Sequence, residues 1–117
     1  MVIQYMERAY YHNTVEKFLI DELNSILGVL VRNHEFSLEE QQRNAWQYQI
    51  SLLKEALSTY KNGYIFFEFS IPRMGKRVDN VLIINGCIFI IEFKVGESRY
   101  HSYSIDQVLD YSLDLKN

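Results

Sequence analysis

Apolar positions recur at helical spacing through the first half of the chain and then shift to strand spacing. Over ~14–31, "TVEKFLIDELNSILGVLV", Val15, Phe18, Leu19, Leu23, Ile26, Leu27 and Leu30 fall on one stripe, the three-and-four spacing of an amphipathic helix. Asn13 with Glu16 supplies the residue types of a capping box at its start. "RNHEF" interrupts the pattern. Ser37 with Glu40 repeats the capping signal and predicts a second helix over ~38–59, with Trp46, Ile50 and Leu53 on its stripe beside Ala45, Leu52 and Ala56. "KNG" at 61–63 stops that helix, and Gly63 suits a left-handed helix end.

From Tyr64 the pattern changes. "YIFFEFSI" is aromatic and β-branched and predicts a strand that ends at Pro72. "PRMGKR" reads as a loop carrying Arg73, Lys76 and Arg77. Two more strands follow, ~77–84 and ~87–95, around Asn85-Gly86. Asn-Gly between apolar runs signals a hairpin, because a type I′ turn needs positive φ at both central positions. After a polar loop, "SIDQVLDYSLDLKN" predicts a helix from Ser104 to the end. The order is helix, helix, three strands, helix: an α+β fold with a three-stranded antiparallel meander. It forms one domain, helical over 1–62 and carrying the meander and last helix over 63–117.

Composition narrows the function classes. With 117 residues, 48% hydrophobic and 15% aromatic, the chain can bury one modest core and is not of disordered type. Its net charge of −3 gives no global basic field for nucleic acid, although a local basic patch could hide in that sum. Cys87 is the single cysteine, so no internal disulfide forms, which suits the cytoplasm. No apolar run is long enough for a signal peptide core or a membrane span.

The segment 77–94, "RVDNVLIINGCIFIIEFK", holds the candidate chemistry. A two-residue turn sets Ile84 opposite Cys87, Ile83 opposite Ile88, Val81 opposite Ile90 and Asp79 opposite Glu92. Asp79 and Glu92 are then cross-strand neighbours on one face, their Cβ atoms about 5 Å apart, and Lys94 lies two residues further along that face. Like charges directly opposite destabilise a sheet, and burying carboxylates raises their pKa. A divalent cation between them removes both penalties; oxygen ligands favour Mg²⁺ or Mn²⁺ over zinc, for which no Cys/His cluster exists. The bland alternative is a salt-bridged sheet edge in which Lys94 and Arg77 neutralise the acids.

"RVD", an apolar strand, a tight turn, a second apolar strand and "EFK" resemble the PD-(D/E)xK nuclease superfamily. Gln107 and Tyr111 match the Gln-x-x-x-Tyr pattern of its RecB-like branch. The run from Tyr64 to Asn117 is similar to the N-terminal nuclease-like domain of bacterial proteins that continue into a helicase-type ATPase. The resemblance implies a restriction-endonuclease-like core and Mg²⁺- or Mn²⁺-dependent hydrolysis of nucleic acid, DNA rather than RNA, in repair or phage defence. It implies Asp79, Glu92 and the Phe93 carbonyl as metal ligands, with Lys94 orienting or deprotonating the attacking water. Gln107 and Tyr111 would contact substrate or support the site; a capping box with Ser104 explains Gln107 equally, and core packing explains Tyr111 equally. Glu68, mid-strand among phenylalanines, either reaches the same site or faces solvent. Arg73, Lys76 and Arg77 either grip phosphates or are solvated. The family takes a further acid from a preceding helix, with Glu16, Glu40 and Glu55 as candidates beside the reading of a solvated face. Its core also adds a strand after the last helix. The expectation is therefore the N-terminal piece of a longer, helicase-linked protein, or a minimal variant that completes its sheet as a homodimer. Two rival readings are a non-catalytic module of the same fold that binds nucleic acid or docks a helicase, and a purely structural domain.

Overall fold

The computed structural model describes residues 8–34, 37–71, 75–94 and 102–107, with Lys94 and 102–107 described by their backbone. The class is α+β, as the sequence pattern predicts. The described elements are β1 (Ala9–Thr14), α1 (Val15–Ile20), α2 (Leu23–Asn33), α3 (Glu40–Ala56), β2 (Tyr64–Ile71), β3 (Lys76–Ile84), β4 (Cys87–Lys94) and β5 (Ser102–Gln107). The strands form one antiparallel sheet in the order β1-β2-β3-β4-β5.

The expected three-stranded meander is the centre of this sheet, and the structure adds a strand on each edge. β1 comes from "AYYHNT", in which Tyr11 is buried while His12 is exposed, as in a half-buried strand. β5 corrects the expected helix from Ser104: "SYSIDQ" pairs along β4, with Ile105 opposite Ile91 and Tyr103 opposite Phe93. Period-two alternation and the ladder bonds that β4 offers outweigh the local Ser104/Gln107 capping signal. Residues 108–117 of that expected helix lie outside the described residues.

The first expected helix is two. Lys54 of α3 donates to the carbonyls of Phe18, Leu19 and Asp21, which ends α1 before Leu23 begins α2. The stripe is nevertheless the buried face: Val15, Phe18, Ile26, Leu27 and Leu30 are core residues. Both capping boxes are corrected. Thr14 is the N-cap of α1, accepting from the Lys17 N–H, and Asn13 instead accepts from the Thr14 N–H. α3 starts after Glu39, without a side-chain cap. Gly63 is not a helix end either, since α3 stops at Ala56; its positive φ goes with a close approach to the Ile83 carbonyl of β3 at the start of β2.

The helices cover one face of the sheet. Ile65, Phe67, Leu82, Ile84 and Ile91 point to that side with Phe18, Ile26, Trp46 and Ile50. Phe66, Phe69, Ile71, Val78, Val81 and Ile90 form a second cluster. Side chains alternate faces along a regular strand, so Phe67, Phe69 and Ile71 should share a side. They do not: Phe69 joins Phe66, with ring centroids 5.4 Å apart. The alternation breaks at Glu68, a non-glycine residue with φ 54°. β3 breaks in step, because Val78 and Val81 share the second cluster.

Candidate functional site

The break in alternation and the candidate acids coincide. In β3 and β4, Ile84, Ile83, Leu82, Val81 and Asn80 pair with Cys87, Ile88, Phe89, Ile90 and Ile91, the register that the Asn85-Gly86 turn dictates. Both turn residues have positive φ, 53° and 78°. Continuing one step puts Asp79 opposite Glu92. There the regular ladder gives way to a side-chain bond: the Phe93 N–H donates to Asp79 Oδ2 at 2.7 Å. On the other side, Phe67 pairs with Asn80 and Phe69 with Val78, so Glu68 and Asp79 occupy the rung between. Glu68, Asp79 and Glu92 thus follow one another across β2, β3 and β4, at the place where the alternation of faces breaks.

Glu68 is held from two directions. Trp46 of α3, 1% exposed, donates its indole N–H to Glu68 Oε2 at 3.3 Å. Arg77 donates to the Glu68 and Arg8 carbonyls, and its guanidinium stacks 4.3 Å from the Tyr10 ring centroid. Tyr10 meets His34 edge-on, and His34 meets Trp46 in the same way. The left-handed conformation of Glu68 costs of order 1–3 kcal/mol in a non-glycine residue, and this enclosure holds it in place.

All three carboxylates titrate upward. Burial lifts Glu68 to about 6, with the Trp46 hydrogen bond opposing and Asp79 adding repulsion. Burial also raises Asp79, against the stabilising Phe93 N–H. Glu92 is raised by burial and then by Asp79, with Lys76 pulling the other way. Desolvation leads in each case, and the opposing pull of Arg77 on Glu68 and of Lys76 on Glu92 is smaller.

A hard divalent cation suits these oxygens. Asp79 and Glu92 adjoin one another, and two buried acceptors lack a partner among the described residues: Asn80 Oδ1, on the residue after Asp79, and Gln49 Oε1 on α3. Yet no three His, Cys, Asp or Glu side chains among the described residues gather as one ligand set. Magnesium tolerates such a sparse set, since it commonly takes one or two carboxylates and completes its shell with water and phosphate oxygens.

The other expected residues fare differently. Lys94 ends β4 opposite Ser102, on the strand of Glu92. Gln107 ends β5 opposite Phe89, three rungs from the Glu92–Ser104 pair, so it stands on a strand and not on the expected helix. Tyr111 and Arg73 lie outside the described residues. Arg77 belongs to β3 rather than a loop, and carbonyls and Tyr10 take up its guanidinium. Lys76 is exposed at the start of β3. Glu16, Glu40 and Glu55 are exposed, as a solvated helix face requires. Trp46, read from sequence only as a core residue, also reaches the acid row; its helical spacing carried no sign of that second role.

A separate apolar groove runs between the end of α3 and the sheet. Its volume is about 240 Å³, and Leu52, Ala56, Tyr60, Ile84, Phe89 and Phe93 are among its walls. No helix among the described residues is long and apolar enough to cross a membrane. No family model matches the chain, and no curated protein or solved structure is significantly similar to it.

Proposed function

We propose that this chain is a metal-dependent nuclease domain that hydrolyses phosphodiester bonds, with DNA as substrate. The observation that carries the reading is the adjacency of Asp79 and Glu92 on β3 and β4, both partly desolvated and both raised in pKa. Asp79 Oδ1 and the Glu92 carboxylate would hold Mg²⁺ or Mn²⁺, with the Phe93 carbonyl as a further oxygen. When bound, the cation supplies a more acidic water and charge neutralisation at the phosphate. The Phe93 N–H fixes the Asp79 carboxylate through Oδ2, which leaves Oδ1 for the cation. Lys94, two residues beyond Glu92, would orient the attacking water or steady negative charge on the phosphorus.

Calorimetric titration with Mn²⁺ tests this. The wild type should bind, and Asp79→Asn or Glu92→Gln, which preserve shape, should each abolish the heat. Binding that is absent throughout, or equal in all three proteins, rules the nuclease reading out. A non-catalytic docking module is the second reading, favoured by the apolar groove at Phe89, Phe93 and Tyr60. It predicts nucleic-acid or protein affinity that survives Asp79→Asn.

A further inference from the structure

Glu68 concentrates three costs in one residue. It is a half-buried carboxylate between Phe67 and Phe69 in sequence, Asp79 repels it, and it adopts φ 54° where glycine would be less strained. A sequence optimised for stability alone would not combine them, and strain of this kind collects at functional positions. The break in alternation has a definite result: Glu68 meets Trp46, whose α3 packs on the helix-covered side, whereas regular alternation would turn it away from that helix.

Trp46 takes only one of the two Glu68 oxygens. Asn80 and Gln49 are 0% and 4% exposed, and each buries an amide oxygen with no partner among the described residues. Asn80 follows Asp79 in β3, and Gln49 lies one helical turn beyond Trp46. Buried oxygens of this kind require a donor, and a small polar molecule such as water satisfies them.

Building on the nuclease reading, we infer that Trp46 is a positioning residue of the site: its indole N–H fixes the Glu68 carboxylate beside Asp79, leaving Oε1 to orient a water carried by the cation. Glu68 acts through that water. Residues that orient the shell around a metal usually matter about 10–100-fold for affinity or activity.

Trp46 is the only tryptophan of the 117-residue chain, so it reports on its own contact. Three proteins are compared in full length: wild type, Glu68→Gln and Trp46→Phe. Mn²⁺ affinity is measured by calorimetry, and tryptophan emission is followed during Mg²⁺ titration. The expected result is about tenfold weaker Mn²⁺ binding in both variants, with a Mg²⁺-dependent emission change in the wild type that Glu68→Gln abolishes. Glutamine still accepts from the indole, so a purely structural role for Glu68 predicts no loss in that variant. Circular dichroism checks folding; should Trp46→Phe fail to fold, the Glu68→Gln and emission measurements decide. Wild-type affinity in Glu68→Gln, or emission indifferent to Mg²⁺ while Mn²⁺ binds, overturns the inference and leaves the nuclease reading standing. No Mn²⁺ binding by the wild type overturns both.

Discussion

At the scale of single residues, the protonation of Glu68 sets a stability slope that can be measured. Its carboxyl has an ordinary value of 4.5 and is lifted to about 6 in the folded chain, chiefly by burial. Between those values the folded form holds a proton that the unfolded form has released. Stability therefore falls as pH rises through that window, and the loss is complete above the folded value. The shift corresponds to roughly 2 kcal/mol. Asp79 and Glu92 are raised as well and act in the same direction. Glu68→Gln keeps the acceptor for Trp46 and removes the Glu68 part. Urea melts across pH 4 to 7 should show the variant gaining roughly 2 kcal/mol on the wild type as pH rises. A pH-independent difference would mean that Glu68 is not desolvated in this way.

At the scale of elements, Gly63 shows how strand meets helix. Its φ is 131°, and a Cβ there would sit 2.4 Å from the Ile83 carbonyl oxygen. Its own carbonyl accepts from the Val15 N–H at 3.0 Å, tying the start of β2 to α1. Gly63→Ala therefore forces a backbone shift, and its denaturation midpoint should fall by the equivalent of about 2 kcal/mol or more. An unchanged midpoint would show that the Ile83 strand yields freely. What the sequence disclosed follows the same line between local and distant causes. The hairpin register was legible because two turn residues determine it, and the buried stripes were legible because periodicity encodes them. The end of α1 was not, because the cation that takes its last carbonyls is Lys54, more than thirty residues away. The strand character of 102–107 was hidden because pairing with β4 decides it, and the Ser104/Gln107 spacing imitates a helix start. The adjacency of Asp79 and Glu92 came from the turn alone. The Trp46 contact did not, since only the left-handed twist at Glu68 brings strand and helix together there.

At the scale of the whole molecule, the acid row is a weak seam that a ligand should close. The helices pack on one side of the sheet, a second apolar cluster lies on the strands, and the alternation of faces breaks where the half-buried carboxylates stand. Mutual repulsion and desolvation there oppose folding while the row is uncompensated. A cation bound by the folded chain alone offsets them and stabilises the entire domain by mass action, about 2.7 kcal/mol at a hundredfold excess over Kd. For a chain of this size that corresponds to a rise in Tm of roughly 10 °C. Mn²⁺ should produce this shift in the wild type, and KCl at matched ionic strength should not, because general screening acts weakly on buried charge. Asp79→Asn should melt higher than the wild type without metal, having lost the repulsion, and should gain nothing when Mn²⁺ is added. This crossing of the two curves separates a cation site from a merely acidic surface, which would respond to both salts and in both proteins alike. Equal responses to Mn²⁺ in the wild type and Asp79→Asn would remove the row from any metal chemistry.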